Sequence, residues 1–238
     1  MNICFQTILS YLFLFVAFII DLGKGQSGCD DQLRCGDHGP TIRFPFRLSS
    51  QPEHCGYPGF TLSCIDRKHT PLELPISVKF FVNKIDYKSQ VIHLYDPDDC
   101  YARQLQGHDL SSSPFQFKVD FPYHLHDYAI FNCSSRGRND RNHDDNAISC
   151  LSGPTHQVYA FYKYSDITTA LISCTKRYTL RSIPYYTIWN HDKFLQLNWS
   201  TPACRGCEVK GKRCRLKNNK SETECGPKIN KGILSSTQ

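Results

Sequence analysis

The sequence has no H-E-x-x-H, G-x-S-x-G or Walker motif, although it holds ten histidines. It has no second apolar run long enough to span a bilayer, and almost no helical periodicity after its first 25 residues. These gaps exclude the motif-bearing zinc peptidases, α/β-hydrolases and P-loop nucleotide enzymes, and no cofactor or nucleic-acid partner is expected. Catalytic residues are expected to be none. Downstream of the N-terminus the chain lacks a membrane-crossing helix, so the mature chain is expected to be soluble.

The N-terminus carries the one long apolar stretch, Ile8 to Ile20, broken only by Ser10 and Tyr11. Its length suits a signal-peptide core, and small and polar residues follow from Gly23. Residues 1–25 are therefore expected to be a signal peptide and the mature chain to be secreted. Of thirteen cysteines, Cys4 falls in that leader. The other twelve are Cys29, Cys35, Cys55, Cys64, Cys100, Cys133, Cys150, Cys174, Cys204, Cys207, Cys214 and Cys225. An even number in a secreted chain reads as a disulfide framework whose pairing spacing does not give. Three sequons, at Asn132, Asn198 and Asn219, are candidate glycosylation sites.

Alternation replaces helical periodicity. Phe115, Phe117, Val119 and Phe121 share one face of FQFKVDF; Leu195, Leu197 and Trp199 share one face of LQLNW. SVKFFVNKIDY (77–87) and VIHLYD (91–96) flank a short turn, and HQVYAFYKY (156–164) and TALISCTKRYTL (169–180) are further strands. Aromatic and β-branched runs between Gly, Pro, Asp and Ser predict a mainly β, disulfide-rich fold. Short antiparallel strands and long loops would form two small cysteine-rich modules, 29–110 and 115–227, split at Ser111-Ser112-Ser113-Pro114. Five cysteines fall before that split and seven after, so either one bridge crosses it, with Cys100–Cys133 one candidate, or the boundary lies elsewhere. The polar stretch Ser134 to Ser149 reads as a solvated loop, and 228–238 as a disordered tail.

Net charge is uneven. Met1 to Ala203 is neutral, with nineteen basic and nineteen acidic residues, whereas Cys204 to Gln238 holds nine basic and three acidic. Such a patch either attracts polyanions or keeps the domain solvated. Cys204-x-x-Cys207, with Cys214 and Cys225, has the ligand types of a zinc site, but an oxidising compartment favours bridges. Asp96, Asp98 and Asp99 read as a turn before Cys100 and not as a calcium loop. No metal is expected.

The informative stretch runs from Cys29 to Cys100: Cys35-Gly36, then Ile42-Arg43-Phe44-Pro45-Phe46, then CGYPGFTLSC (55–64), then DPDDC (96–100). Phe44, Phe46, Tyr57 and Phe60 are expected to form a small aromatic core. This pattern resembles the galacturonan-binding domain at the extracellular end of plant wall-associated receptor kinases. FNCS (131–134), SIPYY (182–186) and LQLNWSTPACRGCEVKGKRC (195–214) resemble the cysteine-rich region that accompanies it. The ending looks most like ectodomains of ATL-type RING-finger proteins, which continue into a transmembrane helix and a RING domain. No eight-ligand RING array occurs before Gln238.

The resemblance implies binding of pectin, an acidic polysaccharide, without catalysis. Candidate ligand-binding residues are Arg34, Arg43, Arg47, Tyr57, Lys79, Lys84 and Lys88, with Arg67, Lys68, Tyr87 and Tyr95 behind them. Cations pair with carboxylates and aromatic faces pack on sugar rings. Two other readings stand beside it: the truncated ectodomain of a membrane RING-type ubiquitin ligase, and a receptor ectodomain for a protein or peptide. Membrane association is expected only if the native product continues past Gln238. Thiol titration of the denatured mature chain is expected to find no free cysteine; a stoichiometric free thiol would contradict the framework.

Overall fold

The computed structural model describes residues 29, 32–74, 79–107, 110–119, 124–134, 146–163, 174–189, 193–217 and 222–228. The expected signal peptide, most of the Ser134–Ser149 loop, Asn219 and the tail from 229 lie outside them. Twelve strands and three short α-helices are described, the second helix being α2 (Tyr185–Ile188). Seven strands make the main sheet, in the order β1 (Arg47–Leu48), β2 (Thr61–Leu62), β3 (Pro71–Glu73), β4 (Lys79–Asp86), β5 (Val91–Tyr95), β10 (Leu195–Trp199), β6 (Phe115–Phe117). The β1–β2 pair is parallel and the others antiparallel. A three-stranded sheet places β7 (Leu125–Ser134) between β8 (His156–Tyr162) and β9 (Cys174–Pro184). The hairpin β11 (Lys212–Leu216) and β12 (Thr223–Lys228) closes the described chain, so Lys228 belongs to a strand and not to the tail.

Within the described residues each expected run contributes a strand, FQFKVDF only at 115–117, and the β4–β5 hairpin turns at Tyr87–Gln90; residues 77–78, 120–121, 164 and 169–173 of those runs lie outside the described residues. The split at Ser111–Pro114 does not divide the sheet. Strand β10, from the second segment, enters the first sheet between β5 and β6. Alternation explains why. Leu195, Leu197 and Trp199 are buried, and Gln196 and Asn198 point outward. Trp199 meets Phe46 edge-to-face at 5.2 Å, Phe46 meets Phe60 at 5.1 Å, and Phe60 meets Phe115 at 4.8 Å between centroids. The first segment alone would leave that aromatic surface open to water. Of the expected aromatic core, Phe46 and Phe60 are fully buried and Tyr57 is half-buried at its edge, but Phe44 is not part of it: that ring packs on the Cys204, Cys207 and Cys214 cluster.

One hydrophobic cluster links the sheets. It runs from Phe46, Leu72 and Ile92 through Tyr101 and Leu105 to Tyr128, Ile130 and Leu180. Tyr101 lies on α1 (Tyr101–Gln104), a single helical turn between the sheets. Burial pushes its phenol up to about 12.

Six disulfides join the twelve cysteines, and the one crossing the expected split is Cys100–Cys150, not Cys100–Cys133. Register decides this. Cys133 on β7 stands directly opposite Cys174 on β9, at 4.0 Å between Cα atoms. Cys150 lies beside α1, where Arg103 donates to its carbonyl at 3.0 Å. Replacing Trp199 by alanine is expected to destabilise the fold by about 3–5 kcal/mol, as large buried aromatics do. Denaturant unfolding under non-reducing conditions measures it.

Candidate functional site

An open cleft of about 430 Å³ lies between the loop 32–43 and the edge of β4, with Arg34, His38, Arg43, Asn83, Lys84 and Tyr87 among its lining. The loop is held by paired backbone hydrogen bonds between Leu33 and Ile42, 2.8 and 2.7 Å, and by the Cys35–Cys64 bridge. Gly36 is required there. Its φ is +74°, and a Cβ would lie 2.0 Å from the Arg67 carbonyl oxygen. The opposite wall exists because β3 pairs with residues 79–81 and the Val82 N–H donates to the Thr70 carbonyl at 2.8 Å, after which the ladder on that edge of β4 ends. A register irregularity between Val82 and Lys84 leaves Asn83 and Lys84 both exposed.

Arg43 dominates the electrostatics. Its two guanidinium nitrogens donate to both carboxylate oxygens of Glu208 at 2.5 and 2.6 Å. The guanidinium carbon stacks 3.8 Å over the Tyr87 ring. Arg43 is 12% and Glu208 2% exposed, so the pair is largely shut off from water. Glu208 lies on α3 (Arg205–Val209), which bridges tie to both strands of the terminal hairpin through Cys204–Cys214 and Cys207–Cys225. Tyr87 donates to the Thr41 carbonyl at 2.8 Å and accepts from the Arg43 backbone N–H at 3.0 Å. Burial drives its phenol far above the ordinary value, so it stays neutral.

Arg34 and Lys84 supply the cleft's remaining arginine and lysine charge. Arg34 is exposed, with Nη1 3.5 Å from the Gly39 carbonyl; Lys84 stands opposite His93 of β5. His93 is held below its ordinary value by burial and then by the Lys84 charge, so it adds no charge at neutral pH. Burial opposes ionisation of Asp86, but hydrogen bonds from Ser89 and Lys88 and the Lys84 charge outweigh it and lower its pKa. That carboxylate caps the turn after β4.

Of the seven residues expected to bind ligand, the cleft gathers Arg34, Arg43 and Lys84. Arg47 is turned to the chain itself, donating to the Gln51 carbonyl at 2.8 Å, with its stem over Gly56. Tyr57 packs edge-on against Phe60 at 5.8 Å. Lys79 begins β4, far along the strand from Lys84, and Lys88 sits in the turn. Arg67 and Lys68 lie on the Ile65–His69 bend, and Tyr95 leans on Phe81 at 5.6 Å. Sequence reasoning missed Glu208, although its C-x-x-C-E motif was in view.

Asp96 accepts from the Cys100 N–H at 2.9 Å and from Gln104, which closes the turn before α1. Cys29, His54 and Cys55 lie close together, but the two sulfurs are bonded to each other, which removes them as metal ligands. The Asn198 side chain is exposed on the outer face of β10, whereas Asn132 is half-buried with its Oδ1 enclosed. Among the described residues no helix is long and apolar enough to cross a membrane.

Residues 29–96, which contain the cleft apart from Glu208, match the wall-associated receptor kinase galacturonan-binding family, so the family read from the CG, I-x-FPF and CG-x-PGF motifs holds. Over most of its length the chain is similar to the putative RING-H2 finger protein ATL21A of Arabidopsis thaliana, 34% identical over 96% of this chain and 62% of that protein. It is also similar to RING-H2 finger protein ATL22 of the same plant, 33% identical over 95% and 60%. The rust resistance kinase Lr10 of Triticum aestivum is 25% identical over 82% of this chain and 36% of that protein. The chain thus spans about three fifths of the length of those RING-H2 relatives. No solved structure matches it.

Removing the charge of Glu208 strands a desolvated guanidinium. Glu208→Gln is expected to cost about 3 kcal/mol in unfolding free energy, while the paired Arg43→Met, Glu208→Leu variant recovers most of it. Equal losses in both would show that packing and not charge sets the cost.

Proposed function

We propose that this chain is a non-catalytic extracellular module that takes the carboxylates of galacturonan into the cleft between the loop 32–43 and β4. One observation carries the reading. The segment that matches the galacturonan-binding family contains an open cleft whose Arg34 and Lys84 form no ion pair with a carboxylate among the described residues. Arg43, by contrast, is neutralised by Glu208 and shapes the cleft wall. Uronate carboxylates would meet Arg34 and Lys84, and ring hydroxyls would meet Asn83 and the Thr41 backbone. Disulfides fix the loop before ligand arrives, so little ordering cost is left for binding.

The RING-H2 relatives favour a second, compatible reading: these residues are the sensing part of a longer membrane ubiquitin ligase, with transfer chemistry elsewhere. An apolar span and a Cys/His array encoded downstream of Gln238 would support it. A protein or peptide ligand is the remaining alternative, and an unbiased extracellular interaction screen separates it from glycan binding.

The test is retention on de-esterified homogalacturonan at physiological salt, with the disulfides verified. Wild-type chain is retained, and retention weakens as salt rises. The Arg34→Glu, Lys84→Glu variant loses about 2 kcal/mol, roughly thirty-fold in affinity. Fully methyl-esterified pectin, its carboxylates masked, is held far less. Absence of wild-type retention sinks the reading.

A further inference from the structure

The cleft does not account for the chain's net charge, which sits in residues 204–238 with nine basic residues against three acidic ones. All three acids are engaged. Glu208 is buried on Arg43, Glu224 pairs with Arg215 at 2.8 Å, and Glu222 approaches Lys217 at 3.7 Å. Lys210, Lys212 and Lys228 form no ion pair among the described residues. Lys212 and Lys228 also stand directly opposite each other across β11 and β12. Like charges in that register destabilise a two-stranded ribbon, and a bound anion relieves the repulsion.

The hairpin is fixed beside the cleft. Cys204–Cys214 and Cys207–Cys225 fasten α3 to both of its strands, and Glu208 of α3 closes on Arg43 in the cleft wall. Phe44, next to Arg43, packs on the Cys204, Cys207 and Cys214 cluster. The Arg205 N–H donates to Gln90 Oε1 at 2.8 Å, and the Gln90 amide donates to the carbonyls of Trp199 and Pro202 at 2.9 and 3.1 Å. Gln90 ends the turn that begins at Tyr87, itself a cleft residue. The two cationic surfaces are therefore joined by buried contacts at two points.

We propose that the polyuronate held in the cleft continues onto the terminal cystine hairpin, where Lys210, Lys212 and Lys228 form a second binding site for the same polymer. This rests on the reading of the cleft as galacturonan-binding. A linear polymer with a carboxylate on each unit reaches both surfaces at once, and the second contact acts at high effective concentration. An anionic membrane, being flat, would touch the hairpin without entering the cleft.

The experiment titrates the full, disulfide-intact chain with a galacturonate trimer and with long de-esterified polygalacturonan, comparing wild type with the Lys210→Ala, Lys212→Ala, Lys228→Ala variant. Affinity for the long polymer falls about tenfold in the variant, each exposed charge contributing a fraction of that. Affinity for the trimer is unchanged, and the thermal midpoint is not lowered. Equal affinity of both proteins for the long polymer overturns the proposal and leaves the cleft reading standing. If the wild type binds neither trimer nor polymer, the cleft reading fails and takes the second site with it. Binding to phosphatidylserine vesicles that the lysine variant loses, and that polygalacturonan does not displace, assigns the hairpin to a membrane and also overturns it.

Discussion

The burial of Trp199 against Phe46, Phe60 and Phe115 is the contact on which the rest of the molecule depends. It draws a strand from near the end of the chain into a sheet begun by its first hundred residues. Once β10 is seated, Gln90 reaches the carbonyls of Trp199 and Pro202, α3 is set down beside the turn, and Glu208 arrives at Arg43. Apolar area drives the insertion, and the polar contacts then fix its register.

That arrangement sorts the cations by what surrounds them. Arg43 is enclosed, paired on both nitrogens and stacked on an aromatic ring, so it holds two parts of the chain together. Arg47 closes on its own loop. Arg34 and Lys84 are exposed at the cleft, as are Lys210 after α3 and Lys228 on the hairpin, with Lys212 half-buried between them. Residue type alone does not make this division. A guanidinium close to a buried carboxylate is structural, while the same group at the lip of an open cleft remains available to an outside anion.

The sequence revealed faces better than neighbours. Period-two alternation located β10 residue for residue, because burial of one face leaves its mark in every second side chain, and two β-branched and aromatic runs flanking a short turn located the hairpin of β4 and β5 almost as closely. Alternation carries no information on which strand lies alongside, so the insertion of β10 was not legible and a split was expected where the sheet is continuous. Cysteine pairing was hidden for the same reason. Cys133 meets Cys174 through the register of β7 and β9, a long-range fact that no spacing records. Within the cleft, Arg34, Arg43 and Lys84 could be named from their chemistry, yet the partner of Arg43 lies 165 residues away and only folding brings it there. Tyr87 read as a sugar platform, but its ring is covered by that guanidinium and its hydroxyl is bound to the backbone of Thr41.

The late position of β10 also dictates the order in which the protein can be made. Until residues 195–199 have left the ribosome, β5 and β6 have no strand between them, and Phe46, Phe60 and Phe115 lack their cover. Cys100 likewise waits for Cys150. A nascent chain that already holds most of its residues is still an open-edged sheet with a sticky face, the kind of species that chaperones retain and that pairs wrongly with its neighbours. Completion of this fold is thus gated by its final quarter, and a chain cut short before Trp199 would be a substrate for quality control and not a smaller working domain.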